Sequence, residues 1–212
     1  MHHHLSFQYF LLGIFAVANN FKALGKFLQI TEGLTRDEQL KLSLRATWAS
    51  LSIMLLALVC GGAVLNFVGV SLDSFRIAGG LVLVILGLDM IHAREGVDED
   101  AQRSSANVYS TVISTAIIPI AIPMTTGAGT FSTIIIFADA LGNTWSPYLQ
   151  LLAAILAQTV IIYLVFCYSR ALLRVLGRTG MNVLIRIVGL FTLSQGIQFI
   201  IVGLGQAFPG LH

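Results

Sequence analysis

Apolar residues gather in six stretches, approximately 5–30, 46–67, 74–92, 108–140, 147–170 and 182–208, divided by charged clusters or turn residues. Each is long enough to cross the hydrocarbon core of a bilayer, which takes roughly 20 apolar residues in a helix. Thr35-Arg36-Asp37-Glu38 has the capping-box pattern, so the second helix is expected to start in water, ahead of its apolar run. Ser146-Pro147 predicts an N-cap followed by proline in the first helical turn. The expected fold class is all-α: a polytopic membrane protein of six transmembrane helices, one membrane domain over residues 1–212. A re-entrant segment in place of one span is the alternative.

Composition supports that reading. Hydrophobic residues make up 56% of the chain, charged residues 10%, and the mean hydropathy is +0.86. A soluble domain carries about 25% charged residues, so this chain lacks the polar surface that water requires. A disordered chain and a nucleic-acid binder are excluded as well, because the net charge of +2 comes with no basic patch to neutralise phosphates. Of the 22 charged residues (12 basic, 10 acidic), 15 fall in Glu32 to Arg45, Arg94 to Arg103 and Arg170 to Arg178. With six spans these are the first, third and fifth loops, all on one side. By the positive-inside rule that side is the cytoplasm, and both termini are expected in the periplasm. Trp145 and Tyr148 suit the outer interface, and Trp48, Tyr109 and Tyr168 the inner one. Cys60 and Cys167 lie within apolar runs and read as small hydrophobes. His2, His3 and His4, a tag remnant or native, carry no functional argument.

The fourth stretch contains Pro119, Pro123, Gly127 and Gly129, with Thr125, Thr126 and Thr130 among them. Each proline removes a backbone donor, and each glycine weakens the helix by about 1 kcal/mol relative to alanine. Two prolines and two glycines so close together favour a true break over a simple kink, and in hydrocarbon a break needs protein or a water-filled cavity around it. The first stretch carries a matching oddity: Asn19, Asn20 and Lys22 sit deep within it, followed by Gly25 and Lys26. An intramembrane lysine is a functional-site hypothesis by default, with snorkelling to the interface as the competing reading, the stronger one for Lys26. Asp89 lies at a similar depth in the third span, where it is either the ion-pair partner of Lys22 or Lys26 or a solvated interfacial carboxylate. Gln158, Gln195 and Gln198 would line a polar path or merely bond between helices.

Arg76-Ile77-Ala78-Gly79 in the third span recurs as Arg186-Ile187-Val188-Gly189 in the sixth, and the first and fourth spans carry their breaks at nearly the same offset. Two three-helix repeats would lie upside down relative to one another, as in many secondary transporters. The expected division is repeat one over about 5–92, a cytoplasmic linker over 93–107 and repeat two over 108–208. Chance likeness between apolar helices is the alternative.

These motifs, with Arg76-Ile77-Ala78-Gly79-Gly80 and Gly87-Leu88-Asp89-Met90, resemble the MarC family of bacterial integral membrane proteins, also called the neutral amino acid transporter family. Asn19 and Phe27 match its first-span motif, while Asn20, Lys22 and Gly25 replace a proline, a glycine and a proline. Pro119, Ala121, Pro123, Gly127 and Gly129 match the fourth-span motif, with Ala128 in place of its central proline. The resemblance implies a multi-pass inner-membrane protein that carries small neutral amino acids such as glycine and alanine. The departures fall on the motif itself, so an altered substrate or lost transport is the alternative.

Three function classes follow. A secondary transporter or exporter would bind its substrate between the broken helices, at Asn19, Asn20, Lys22, Thr125, Thr126, Gly127, Gly129 and Thr130, with a proton or sodium ion as coupling ion and a homo-oligomer as the assembly. An intramembrane enzyme is not expected, because no nucleophile and base pair or metal-ligand cluster can be named, and no cofactor or metal is expected. A non-transporting scaffold is the third class, with Gly61, Gly62, Gly79, Gly80, Gly203 and Gly205 serving close helix packing. No nucleotide-binding loop is present in the charged segments.

Overall fold

The computed structural model describes residues 6–18, 20–31, 33–92, 126–141 and 145–208. These form seven helices: α1 (Phe7–Val17), α2 (Asn20–Ile30), α3 (Arg36–Val68), α4 (Leu72–His92), α5 (Ala128–Ala140), α6 (Trp145–Cys167) and α7 (Ser169–Ala207). There is no strand among the described residues. Four segments are long and apolar enough to cross a membrane: α3, α4, α6 and Thr179–Ala207 of α7. Large side chains such as Phe67 (92% exposed) and Val59 (70%) point away from the protein, as lipid-facing side chains do. The architecture is that of an all-helical polytopic membrane protein.

The local signals act largely as the sequence predicts. Thr35 caps α3 by accepting from the Glu38 amide through its side chain, and its own amide donates to Glu38 Oε2 at 2.9 Å. At 33 residues α3 is longer than a span requires, and its charged first turns overhang the apolar run. It ends at Gly69, whose φ of 75° favours glycine. Two expectations are corrected. Ser146 is not an N-cap, because α6 already starts at Trp145 and Pro147 is its third residue, where an amide has no intrahelical carbonyl to meet. The expected fifth loop is mostly helical: α6 turns at Tyr168 directly into α7, which is interrupted only at Gly177 (φ 65°). The stretch after the corner, Ser169-Arg170-Ala171-Leu172-Leu173-Arg174, is rich in helix formers, and the Leu172 amide donates to Tyr168 O at 2.8 Å.

Helix α5 is central. From Gly129 to Phe137 only Phe131 escapes full burial, the pattern of a helix enclosed on all sides. Three neighbours approach it through glycine. A methyl group at Gly13 of α1 would lie 2.7 Å from the Phe137 ring, one at Gly79 of α4 would lie 3.0 Å from Ser132 Cβ, and one at Gly61 of α3 would overlap Ile135. Phe137 also meets Phe10 and Phe199, with ring centroids 5.3 and 6.2 Å apart.

The most extensive helix contact is between α4 and α7, which pack antiparallel along a seam of glycines. A methyl at Gly80 would lie 2.6 Å from the Gly196 carbonyl, and one at Gly87 would lie 2.7 Å from the Leu193 amide and 2.8 Å from the Gly189 carbonyl. Gly203 faces the Asp73 carbonyl in the same way. Such close backbone approach is how helices associate where lipid removes the hydrophobic drive. Gly62, by contrast, has nothing within 4 Å. Replacing Gly87 by valine is expected to cost at least about 1–3 kcal/mol, the usual range for overpacking, and to lower the melting temperature in detergent, whereas Gly62→Val is expected to leave it nearly unchanged. Equal effects would rule out the seam as a determinant of stability.

Candidate functional site

The first apolar stretch is broken where Asn19 and Asn20 predicted it. Helix α1 ends at Val17, Ala18 takes a non-helical ψ of 88°, and α2 starts at Asn20. Of the fourth stretch, the described part begins at Thr126, and α5 starts at Ala128 with Gly127 in extended conformation and no side chain capping the helix. The first break and the start of α5 meet. A Cβ built on Gly129 would lie 3.0 Å from Val17 Cγ1, and 2.7 Å from Leu83 Cδ2 of α4. Because Phe10 also faces Phe137, α1 and α5 run antiparallel. The C-terminal end of α1 and the N-terminal end of α5 therefore adjoin in the interior.

At 1.5 Å per residue, α1 (11 residues) is about 16 Å long and α5 (13 residues) about 20 Å. Neither alone crosses a core about 30 Å thick. Their dipoles place partial negative charge at the end of α1 beside partial positive charge at the start of α5. The first intrahelical bond of α5 is Phe131 N to Gly127 O at 3.1 Å. The amides of Ala128 and Gly129 precede it, at positions where a helix supplies no acceptor.

Some of the polar groups that these breaks release are taken up locally. The Thr192 hydroxyl of α7 donates to the Ala16 carbonyl, which the break deprives of its helical partner, and it also lies 2.9 Å from its own helix's Val188 carbonyl. Three other groups are left over. Asn20 (2% exposed), Thr126 (4%) and Gln158 (0%) are buried, yet among the described residues both amide atoms of Asn20 and Gln158 and the hydroxyl of Thr126 have no hydrogen-bond partner. An unmatched buried polar group costs about 1–3 kcal/mol, which calls for an explanation at each of the three.

Gln158 lies on α6 about two turns before Phe166, whose ring stacks on Phe27 of α2 with centroids 4.5 Å apart. Past the corner, Arg170 Nη2 of α7 donates to Thr31 O, just beyond the end of α2, at 3.0 Å.

The sequence-predicted site residues thus divide. Asn20, Thr126, Gly127, Gly129 and Thr130 lie at the two adjoining helix ends, with Thr130 buried. Asn19 and Thr125 lie outside the described residues, as do the side chains of Lys22 and Lys26 on α2. Asp89 is exposed on α4, one turn before His92, and its expected pairing with Lys22 or Lys26 involves atoms outside the described set. Among the three glutamines, Gln158 is enclosed, Gln195 is half-buried against Gly13 and Gln198 is exposed. Thr192 is the residue that sequence reasoning missed. Nothing in the sequence separates it from Ser194, which donates to the Leu190 carbonyl of its own helix at 2.9 Å. Among the described residues no three His, Cys, Asp or Glu side chains come together.

Comparisons with known proteins agree with this picture of a membrane protein. A model of the MarC family of integral membrane proteins matches residues 4–208. The UPF0056 membrane protein YhcE of Escherichia coli (strain K12) is 31% identical over 202 residues, covering 95% of this chain and 93% of the relative. A UPF0056 membrane protein of Archaeoglobus fulgidus is 32% identical over 180 residues, covering 85% of this chain and 83% of its own. A third, from Buchnera aphidicola subsp. Schizaphis graminum, is 28% identical over 204 residues, covering 95% and 93% of the two chains. No solved structure matches significantly. With its broken first helix, its glycine-led α5 and a family match along nearly its whole length, the chain belongs to the MarC family of integral membrane proteins.

Proposed function

We propose that this protein is a secondary transporter or exporter of small neutral amino acids, of the glycine and alanine class, and that the substrate binds between the two helix interruptions. The observation that supports the reading is that Asn20 and Thr126, beside the end of α1 and the start of α5, and Gln158 of α6 are buried polar side chains with no hydrogen-bond partner among the described residues. The arrangement suits a zwitterion. Its carboxylate would accept from the first amides of α5, and its ammonium would face the last carbonyls of α1, each end favoured by the helix dipole there. Asn20, Thr126 and Gln158 would then complete the hydrogen bonding, and the close approach of Val17 and Leu83 to Gly129 limits the side chain that fits.

The inverted-repeat architecture is part of this proposal. What supports it is the recurrence of Arg76-Ile77-Ala78-Gly79 as Arg186-Ile187-Val188-Gly189, on two helices that pack antiparallel with Gly80 on Gly196 and Gly87 on Gly189. A pseudo-two-fold axis in the membrane plane would relate two such repeats. The single domain, the bacterial inner membrane, the periplasmic termini and a proton or sodium coupling ion follow the same reading. An enzymatic role has no group to carry it. The close glycine packing favours one competitor, a non-transporting scaffold, and flux separates the two.

In proteoliposomes, uptake or efflux of labelled glycine or alanine is expected to exceed that of empty liposomes and to change in Lys22→Gly. No flux from either form would remove the transport reading. Gln158→Met replaces an unmatched amide by an apolar side chain of similar shape. It is expected to raise the melting temperature, by up to about 1–3 kcal/mol in stability, while lowering flux. A fall in both would show that the amide is a structural bond and not part of the site. For the proposed ion pair, Asp89→Asn is expected to lower stability, and neutralising Lys22 or Lys26 as well to restore part of it. Independent, additive effects would exclude the pair.

A further inference from the structure

On the basic face of the protein, at the corner where α6 turns into α7, lies a cavity of about 250 Å³ bounded by the first turns of α3. None of its lining residues lies at the end of α1 or the start of α5. Three arginines line it, Arg36, Arg170 and Arg174, and among the described residues no carboxylate does. The nearby acids of α3 are placed otherwise: Asp37 is not among the lining residues, and Glu38 accepts from Thr35. Arg170 is fixed, because its Nη2 donates to the carbonyls of Thr31 and Leu34, both at 3.0 Å. Its remaining donors stay available. Arg36 and Arg174 make no ion pair among the described residues.

Three guanidinium groups around one hollow repel one another unless an anion sits between them, and their planar forks match the oxygens of a phosphate. The rest of the lining decides the source of that phosphate. Leu40, Cys167 and Ala171 give the cavity an apolar wall, and Tyr168 is 59% exposed at its rim. Cys167 is the last residue of a 23-residue apolar helix, so the cavity sits where hydrocarbon gives way to water. An amphipathic aromatic belongs at that level. Val175, 83% exposed, continues the apolar surface along α7. A free anion needs the arginines but not the apolar wall, whereas a lipid uses both.

We propose that this cavity is a binding site for the phosphodiester headgroup of an anionic phospholipid, with Arg36, Arg170 and Arg174 on the phosphate and the acyl chains along the exposed apolar side of α7. The bound headgroup bridges the start of α3 and the α6–α7 corner. The same two elements are already joined by Gln39 Nε2, which donates to Ser169 Oγ at 2.8 Å.

Native mass spectrometry of the full-length protein in detergent, titrated with phosphatidylglycerol or phosphatidylcholine of identical chains, tests this. Wild type is expected to retain phosphatidylglycerol in preference. The double variant Arg36→Gln, Arg174→Gln is expected to bind it about 25-fold more weakly, a factor of about five for each basic residue. Lys41→Gln with Arg45→Gln, outside the cavity, is expected to keep the preference. Arg170 is left intact because it holds the α2–α3 turn. If the double variant does not purify as a monodisperse protein, Arg174→Gln alone is expected to show a loss of about fivefold. Equal binding of the two lipids, or equal loss in the Lys41 and Arg45 control, would overturn the proposal. Displacement of phosphatidylglycerol by millimolar inorganic phosphate would also overturn it, in favour of a free-anion site.

Discussion

A helix end inside a membrane is costly unless protein supplies what the missing turn would have supplied, and this structure has two such ends side by side. Most of the fold can be read as a response to them. Glycines at 13, 61 and 79 let α1, α3 and α4 close around the short helix α5, which excludes lipid from its exposed first amides. Thr192 reaches across from α7 to the carbonyl of Ala16. Among the described residues, the buried polar side chains left unmatched are Asn20, Thr126 and Gln158. A fold selected only for stability would have made them apolar, so their presence marks the place where the protein accepts a cost.

The remainder of the molecule is assembled more conventionally. The α4–α7 seam brings two backbones together through glycines, a rigid contact with little room for adjustment. The basic corner is held by side-chain to backbone bonds from Arg170 and by Gln39 on Ser169. Between these two fixed regions lie the half-helices α1 and α2, joined only through Ala18 and its neighbour. If the site opens alternately to the two sides, this junction is where the backbone changes most easily.

Much of the architecture was legible because hydropathy and capping act locally. The 20-residue apolar runs located α4, α6 and the later part of α7, and Thr35 with Glu38 located the start of α3 ahead of its apolar run. Asn19-Asn20 located the break between α1 and α2 and Gly127-Ala128-Gly129 the start of α5, since amide side chains and paired glycines are poor companions for a continuous helix in hydrocarbon. What failed was the cap at Ser146 and the fifth loop. A charge cluster marks water, and water does not prevent a helix, so Arg170 and Arg174 sit on one. The meeting of the α1 end with the α5 start, the burial of Gln158 and the reach of Thr192 to Ala16 depend on how helices pack. A pattern along one chain does not carry that information.

The central claim is that Gln158 faces a polar site that a small zwitterion can enter from water. Its most direct test is thiol reactivity in membranes, with Cys60 and Cys167 replaced by alanine and a single cysteine placed at 158 or, one turn further along the same buried face, at Ile162. The account predicts that a small polar thiol reagent modifies the cysteine at 158, that glycine or alanine slows the reaction, and that the cysteine at 162 stays unmodified. A cysteine at 158 as inert as that at 162 would contradict it.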